Sequence, residues 1–405
     1  MTTTQRFTLF CGIDVAKAAH VACLLDSDGQ FLFPSQTFAN TAEGFARLLD
    51  RLQQAQQAAG NQGVLVGMEA TGHYWYALHE FLASHGFEVI VLNPVQTAEH
   101  GRRQVRKTHT DRIDARRIAH LLKAGDSRRS LVPDDLAMTC RQLSRLLYAL
   151  VRQRARLRQL IGCKLEWLWP EFEGHLADPL GSTGRAILGA ACTPRGLLAI
   201  PEPALVDVIE RASRKQLGAD LARRLRDNAA CSIGMRRGSH GAALAIRTLL
   251  AALAAARPVR RDLERQIVTL SQRLPRYLFT LPGINELRAV ALWGEAGSIR
   301  ALASADRFVA FAGLDLAVFQ SGQYQAPRRR LSKRGSPHLR RTLWTMAHLA
   351  VRREGYLRTH YLHHRRHGLH HLPAVTAVAL KLARIVWRIL VDQRDYRPEG
   401  RPAQP

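Results

Sequence analysis

The chain has 405 residues, of which 46% are hydrophobic, so it can form more than one folded core and does not have the composition of a disordered protein. Its 59 Lys and Arg residues against 33 Asp and Glu give a formal net charge of +26, which favours a polyanionic partner such as nucleic acid. The best apolar stretch, 242–256, is interrupted by Arg247, so we expect no membrane partner.

The N-terminus and the cysteines both bear on the compartment. Residues 1–17, MTTTQRFTLFCGIDVAK, lack the layout of a secretory signal, because a short apolar stretch leads directly into Asp14 and Lys17. Six cysteines are scattered without a CxxC pair: Cys11, Cys23, Cys140, Cys163, Cys192 and Cys231. Unpaired thiols of this kind suit a reducing cytoplasm, and the spacing indicates neither a zinc site nor a disulfide framework.

The first 126 residues alternate between short apolar runs and helical periodicity. The predicted elements are strands at 7–15, 20–26 and 31–38, a helix at 41–57, the strand VLVGME, a helix at 74–84 and the strand EVIVLN. Three strands in an antiparallel meander, followed by strands that alternate with helices, predict a mixed α/β sheet. We expect this first domain to end near residue 126.

A basic segment follows the strand EVIVLN. Its cations are Arg102, Arg103, Arg106 and Lys107, and it leads into a helix that contains DRIDARRIAHLL. We expect these four side chains to contact the phosphates of a nucleic acid.

The middle of the chain, 127–275, is predicted to be helical. Residues 136–169 carry leucines near heptad spacing among six arginines, which predicts a charged coiled coil. A second helical stretch at 242–274, broken at Pro258, is expected to pack back against the first as the other arm of a hairpin. Residues 174–240 contain Gly and Pro breaks and short helical pieces that indicate no chemistry.

Four acids stand where a metal site could form. Asp14 and Glu69 each end a strand, while Asp111 and Asp114 lie three apart on one helix face. If they converge, they could hold two Mg²⁺ ions, the arrangement that promotes phosphoryl transfer. Taken singly, each acid could instead cap a turn or helix or pair with a nearby arginine. Their order along the chain is that of ribonuclease-H-like nucleases of the RuvC kind.

The C-terminal region, 276–395, carries two further features, and 396–405 is predicted to be a disordered tail. LPGI at 281–284 could be a phosphate-binding helical hairpin or a turn between packed helices. Ser321 precedes twelve Lys or Arg residues and one acid, Glu354, between Pro327 and Arg366. The expected nucleic-acid contacts are Arg328, Arg329, Arg330, Lys333, Arg334, Arg340 and Arg341.

Together these segments resemble the DEDD insertion-sequence transposases, which are relatives of the pilin-gene invertases and are also known as bridge-RNA-guided recombinases. The resemblance is carried by GIDVAK, MEATGHYW, LNP, TDRIDARRIA, LPGI, FAGL, QSG, LSKRG and LRR, in that order. It covers residues 7–126 and 277–350, about half of the chain. It implies a RuvC-like N-terminal domain and a C-terminal transposase domain that bears a serine.

The resemblance also implies an active site and partners. The family's acids correspond to Asp14, Glu69, Asp111 and Asp114, and its nucleophile to Ser321. It implies Mg²⁺, donor and target DNA, a structured guide RNA, and a homo-oligomer, either dimer or tetramer, in a bacterial cytoplasm where the active protein associates with the nucleoid. Two rivals stay open: a Holliday-junction-type nuclease, which needs no serine, and a binding protein that has lost catalysis.

Overall fold

A computed structural model describes residues 7–70, 72–92, 110–125, 127, 130, 132–297, 302–317, 320–321, 324–325 and 330–398. Of residues 316–317, 320–321, 324–325 and 330 it describes the backbone alone. The chain divides into two compact units, Met1–Val132 and Pro133–Pro405, so the first unit extends beyond the expected end at residue 126.

The first unit is built on a five-stranded sheet. Its strands are β1 (Leu9–Asp14), β2 (Ala19–Asp26), β3 (Phe31–Ala39), β4 (Val64–Glu69) and β5 (Glu88–Leu92). They lie in the order β3-β2-β1-β4-β5, with β1 antiparallel to β2 and parallel to β4. β2 pairs with β3 in antiparallel fashion and β4 with β5 in parallel. The predicted mixed α/β sheet is confirmed.

Helices cover both faces of this sheet: α1 (Ala42–Ala58), α2 (Trp75–Ser84) and α3 (Asp111–Lys123). The leucines of α1 and α2, such as Leu48 and Leu78, share one core with Ile13 and Met68. α3 packs on the opposite face, where Ile118 and its neighbours meet Phe10 and Leu65 of the sheet. Threonine side chains at 41 and 110 cap α1 and α3 by accepting a backbone N–H three residues on.

The second unit is helical. Its helices are α4 (Asp135–Leu168), α5 (Ser182–Ala190), α6 (Pro194–Leu198), α7 (Glu202–Ser213), α8 (Ala219–Cys231), α9 (Ser239–Ser271), α10 (Glu286–Ala296), α11 (Ala305–Phe311), α12 (Pro337–Ala350), α13 (Tyr356–Arg366) and α14 (His371–Asp392). Two 3-10 helices, Pro170–His175 and Arg276–Thr280, lie between them. Four strands of two residues each are β6 (Leu316–Ala317), β7 (Gln320–Ser321), β8 (Tyr324–Gln325) and β9 (Arg330–Leu331).

α4 and α9 pack against each other as two antiparallel arms. The C-terminal end of α4, at Ile161, shares a core with the N-terminal end of α9, at Ile246. Cys140, near the start of α4, shares a second core with Ile267 near the end of α9. The predicted break at Pro258 is wrong, because α9 continues through it. Pro258 lies on the exposed side, where water can satisfy the carbonyl that loses its N–H partner.

Length and composition alone would allow α9 to cross a membrane, and 22% of its apolar window is buried. The four residues that are buried there, Ala243, Ile246, Leu250 and Leu253, belong to a core with α4 and the helices of the 174–240 region.

The 174–240 region, in which the sequence indicates no chemistry, folds as the helices α5 to α8. Leu188, Leu197, Ile209 and Leu225 pack with the adjacent ends of α4 and α9. The region therefore completes the core at that end of the two long helices.

The remaining helices, α10 to α13, surround α14, which is apolar on most sides. Val378, Leu382 and Val386 of α14 share a core with Leu343 of α12 and Phe308 of α11. The predicted disordered tail is wrong at its first residue, Tyr396. Its backbone N–H donates to the Thr280 hydroxyl and its side chain packs on this core. Residues 399–405 of that prediction lie outside the described residues.

Candidate functional site

Asp14 and Glu69 end two adjacent parallel strands, β1 and β4. The last register pair between these strands is Ile13 with Met68, so the two acids follow at the same edge of the sheet. Side chains alternate across a strand, and Ile13 and Met68 face α1 and α2. Asp14 and Glu69 therefore occupy the face that α3 covers, and both are half-buried.

Glycines let α3 lie unusually close to this face. A Cβ on Gly12 would stand 2.2 Å from the Ala115 carbonyl oxygen and 2.4 Å from the Ala119 nitrogen. A Cβ on Gly67 would stand 2.8 Å from the Leu122 side chain. Because Gly12 is two residues before Asp14, this close packing brings the first turn of α3 towards the acidic edge of the sheet.

That first turn carries Asp111 and Asp114. Thr110 caps it by accepting the Ile113 N–H, and both acids benefit from the positive end of the helix dipole. Arg117 is 6% exposed, and its Nη1 lies 2.7 Å from Asp114 Oδ1. The alternative to metal binding, in which Asp114 pairs with an arginine one turn later, is therefore present in the structure.

The pKa of Asp14 depends on the charges of the other three acids. Burial, followed by the charges of Asp111, Asp114 and Glu69, raises the pKa of Asp14 to about 7. A hydrogen bond from the Val15 backbone acts in the opposite direction. The negative charges of the four predicted residues therefore repel one another at one place in the first unit.

This donor set suits a hard divalent cation. The four side chains are all carboxylates, the oxygen ligands that Mg²⁺ prefers, and a cation would offset the repulsion that raises the pKa of Asp14. No three Asp, Glu, His or Cys side chains among the described residues are grouped closely enough to coordinate one ion. The acids are thus electrostatic neighbours, and their side chains would have to move to share an ion.

The loop after Asp14 is held by two residues that the sequence reasoning missed. The buried His20 on β2 accepts the Ala16 N–H at Nδ1, 3.3 Å away, and burial lowers the pKa of His20. Asn40 donates its side-chain N–H to the Lys17 carbonyl, 3.1 Å away. A histidine inside the apolar run HVACLLD was the available signal, since a buried neutral imidazole needs a hydrogen-bond partner.

Ser321 lies on β7, which pairs with β8 so that Ser321 is opposite Tyr324. β6 and β9 also pair with each other in antiparallel fashion, and the four two-residue strands are here together called the serine hairpin. Ser321 was expected in a strand or turn, and its backbone is in a strand; its side chain is not described. The first unit and the serine hairpin belong to different compact units.

The base of the serine hairpin is fixed by backbone contacts. Ser332 donates its N–H to the Asp315 carbonyl, 2.8 Å away, and its hydroxyl also bonds the Asp315 carboxylate. Ser336 donates its N–H to the Phe311 carbonyl, 3.0 Å away. A Cβ on Gly335 would stand 2.0 Å from that same carbonyl, so glycine is required for this approach.

The predicted nucleic-acid contacts fall into three groups. Arg102, Arg103, Arg106, Lys107, Arg328 and Arg329 lie outside the described residues, and Arg330 is described by its backbone alone. Lys333, Arg334 and Arg341 are exposed. Arg340 is half-buried, and its Nη1 donates to the carbonyls of Ala312 and Gly335 at 3.2 and 3.5 Å.

The LPGI segment packs against α12. Gly283 has a φ of +74°, and a Cβ there would stand 2.2 Å from the Met346 carbonyl. Arg288 Nε donates to the Gly283 carbonyl at 2.6 Å. These contacts favour the turn between packed helices over a hairpin open to phosphate.

Two family profiles match the chain. A transposase profile of the DEDD IS110 type matches residues 11–170, and the Transposase IS116/IS110/IS902 family profile matches residues 276–362. The first match contains all four acids, and the second contains Ser321.

Curated relatives agree with these profiles. The chain is 24% identical to the insertion element IS116 uncharacterized 44.8 kDa protein of Streptomyces clavuligerus, over 98% of each chain. It is 24% identical to the insertion element IS900 uncharacterized 42 kDa protein of Mycobacterium paratuberculosis, over 96% of this chain and 97% of the relative. A pilin gene-inverting protein of Moraxella lacunata is 29% identical over 106 residues, 26% of this chain and 31% of that protein.

Proposed function

Since the chain belongs to the IS116/IS110/IS902 family of transposases, we propose that it is the site-specific recombinase of an insertion sequence, which cuts and rejoins DNA with four carboxylates and Ser321. Transposases act on DNA, and the net charge of +26 suits such a polyanionic partner. The transposase class itself is established by the family; the chemistry assigned to individual residues is the proposal.

The observation that carries the proposal is that β1 and β4 end side by side at Asp14 and Glu69, on the face against which α3, with Asp111 and Asp114 in its first turn, packs closely. Together with burial, this arrangement raises the pKa of Asp14. Three acids that are far apart in the sequence, Glu69, Asp111 and Asp114, all contribute to it. Clustered like charges destabilise a fold, so a protein keeps them chiefly where function requires them. Acids with perturbed pKa values are more frequent at catalytic sites than elsewhere. Capping or ion pairing of separate acids would not bring their charges to one place.

We assign Asp14, Glu69, Asp111 and Asp114 as the ligands of Mg²⁺, with two ions per site. Bound Mg²⁺ would supply charge stabilisation to the oxygens of a reacting phosphodiester. Within the protein, Arg117 orients the Asp114 carboxylate, and His20 and Asn40 hold the loop that follows Asp14. These contacts fix the carboxylates on rigid elements, which is what a precise ligand set needs.

Ser321 is proposed as the nucleophile. Its Oγ would form a bond to the DNA phosphorus while the P–O bond to one strand end breaks. The serine proton would pass to a proton acceptor of the assembled site, and the leaving sugar oxygen would take up a proton and become a free hydroxyl. The phosphoserine ester keeps the energy of the broken bond available for rejoining. The hydrogen bonds at the base of the serine hairpin support such a role, because they tie it to the helical core.

Guide RNA and oligomeric assembly complete the proposal. The family resemblance implies a structured RNA that pairs with donor and target DNA, and dimers or tetramers in which the two units of different subunits complete each site. The excess positive charge suits a complex that holds two kinds of nucleic acid. Copurification of one specific structured RNA, encoded beside the gene, would test this part directly.

The deciding experiment compares Ser321→Ala with Asp14→Asn in a strand-transfer assay that contains Mg²⁺, the RNA that copurifies with the protein, and DNA that carries the ends of the element. The wild-type protein should form a covalent protein–DNA adduct that is sensitive to protease, and Ser321→Ala should form none. Ser182→Ala, which removes an exposed hydroxyl at the start of α5, is the matched control and should react as the wild type does.

Two outcomes would contradict the proposal. Cutting that persists in Ser321→Ala would indicate a junction-selective nuclease that needs the acids alone. Activity that persists in Asp14→Asn would mean that the acidic cluster takes no part in catalysis.

A further inference from the structure

One surface of the second unit combines cations with an aromatic ring. It consists of Arg145, Tyr148 and Arg152 on α4 and His338 and Arg341 on α12, and we call it the α4–α12 basic surface. The three α4 residues recur at helical spacing, so they share one face of that helix. His338 and Arg341 are three apart and face them from α12, where the His338 ring meets the Tyr148 ring edge-on at 5.3 Å.

Two guanidinium groups share the Tyr148 ring. The Arg341 guanidinium lies 4.2 Å from the ring centroid and that of Arg152 lies 5.8 Å away. Both side chains are exposed, and neither forms an ion pair with an acid among the residues that the structure describes. The ring holds two positive charges near each other without an acid of the described residues to neutralise them. Because an anion would offset their repulsion, this arrangement favours anion binding.

The acid Glu295 contacts this surface, and its carboxylate oxygens already accept hydrogen bonds within the protein. Glu295 on α10 is 2% exposed and accepts Arg145 Nε at 2.7 Å and Nη2 at 3.1 Å. It also accepts the Ser336 hydroxyl at 2.7 Å. Burial alone would raise the pKa of Glu295, but Arg145 and Ser336 outweigh it and lower that pKa. Glu295 therefore positions Arg145 and leaves Arg152 and Arg341 unneutralised.

The same contacts connect the surface to the serine hairpin. Ser336 joins Glu295 through its hydroxyl and Phe311 through its N–H, while Ser332 joins Asp315. α12 begins directly after Ser336 and carries Arg341. The position of Arg341 is therefore coupled, through short hydrogen bonds, to the base of the hairpin that contains Ser321.

We propose that the α4–α12 basic surface binds the sugar–phosphate backbone of the DNA strand that Ser321 attacks, with Arg152 and Arg341 each contacting a phosphate. Phosphates are favoured over bases because guanidinium groups lie over the Tyr148 ring and restrict stacking on it. DNA is favoured over RNA because the surface is fixed to the serine hairpin. This inference rests on the proposed role of Ser321.

The test uses Arg152→Gln/Arg341→Gln in the full chain and a short fluorescein-labelled DNA duplex, with binding measured by anisotropy across a series of salt concentrations. Each lost phosphate contact should reduce the slope of log affinity against log salt by about 0.9, and lower the affinity about fivefold at physiological salt. Arg223→Gln, which removes an exposed arginine of α8 that pairs with Asp220, should leave the slope unchanged.

Variants of Tyr148 separate the ring from the charges. Tyr148→Phe keeps the ring and should bind DNA as the wild type does, whereas Tyr148→Leu should weaken binding because both guanidinium groups lose their platform. Circular dichroism and thermal unfolding would verify that each variant is folded. A wild-type slope in the double variant, or a slope reduced for RNA alone, would overturn the proposal.

Failure of this inference can be told apart from failure of the proposed function. If Ser321 is the nucleophile and the surface plays no part, the double variant keeps both its DNA affinity and its covalent adduct. If the surface binds DNA but Ser321 is not the nucleophile, the double variant loses affinity while no protein forms an adduct. If both are right, low salt should restore adduct formation in the double variant.

Discussion

Gly12 of β1 lies directly beneath Ala115 of α3, so closely that a Cβ on Gly12 would stand 2.2 Å from the Ala115 carbonyl oxygen. This contact sets the distance between the strand that ends in Asp14 and the helix that begins with Asp111. The geometry of the acidic cluster therefore depends on a residue that has no functional group of its own.

Gly12→Ala should consequently damage both stability and activity. The added methyl group has no room against backbone atoms, so α3 must move away from the sheet at a cost of about 3 kcal/mol in the free energy of unfolding. Urea denaturation measures the loss. Gly189→Ala, where a Cβ meets nothing within 4 Å, should instead raise the unfolding free energy by up to about 1 kcal/mol, because alanine favours the helix α5 more than glycine does. Equal losses in the two variants would contradict this packing.

Asp14 should make the metal-free protein less stable as the pH rises. Its pKa is raised from 3.8 to about 7 in the folded state, so folded protein binds more protons than unfolded protein between these values. The stability that this proton provides is complete below the unfolded pKa and is lost as the pH rises through about 7. Asp14→Asn should therefore raise the melting temperature at pH 8 but hardly at pH 4.

Mg²⁺ provides the complementary measurement. If it binds the four acids, it should raise the melting temperature of the wild type at pH 8 and should do so far less in Asp14→Asn, because a ligand stabilises only the state that binds it. Asp50→Asn, which changes an exposed acid of α1, is the control and should respond to Mg²⁺ as the wild type does. A wild-type response in Asp14→Asn would remove Asp14 from the ligand set.

The sheet could be predicted because its signals are local. Each strand is a short apolar run bounded by turn residues, and Thr110 precedes α3 as a recognisable cap. The uninterrupted course of α9 could not be predicted, since a proline inside a helix is tolerated only when the freed carbonyl faces water, which depends on tertiary packing.

The distinction between local sequence signals and tertiary packing also applies to the candidate site. The acids could be selected by type and order, but their mutual repulsion depends on Gly12 and Gly67, which permit the close approach of α3. The roles of His20 and Glu295 depend on partners far away in the sequence or on burial. Arg145 and Glu295 are 150 residues apart, so no local pattern encodes their contact, whereas His20 in an apolar run is a local signal that only its partner completes.

Arg145→Met should destabilise the second unit near neutral pH. It would leave the buried Glu295 carboxylate without its guanidinium partner, which costs about 1–2 kcal/mol here, because Arg145 is 45% exposed and water screens the pair. The lowered pKa of Glu295 means that this stabilisation is present above the ordinary glutamate pKa and is lost as the pH falls through the folded value. The difference between variant and wild type should therefore shrink in acid.

Denaturation at pH 7 and pH 3.5, about one unit below the ordinary glutamate pKa, measures this effect. The control is Arg265→Met, which breaks an exposed pair with Asp262 and should cost about 0.5 kcal/mol or less at either pH. A cost for Arg145→Met that is the same at both pH values would indicate that packing of its aliphatic stem, and not the ion pair, stabilises the unit.

Arg340 and Arg341 are adjacent in sequence and carry the same charge, yet we expect substitution of Arg340 to lower stability and substitution of Arg341 to weaken DNA binding. Arg340 holds the base of the serine hairpin through the carbonyls of Ala312 and Gly335, so Arg340→Met should lower the free energy of unfolding by about 1–2 kcal/mol. Because this contact is internal, the salt dependence of DNA binding should stay near that of the wild type.

Arg341→Gln removes an exposed cation, so it should leave the free energy of unfolding within about 0.5 kcal/mol of the wild-type value and reduce the slope of log affinity against log salt by about 0.9. Urea denaturation and anisotropy on the same two proteins measure both effects, and a larger change of slope in Arg340→Met than in Arg341→Gln would reverse the two assignments.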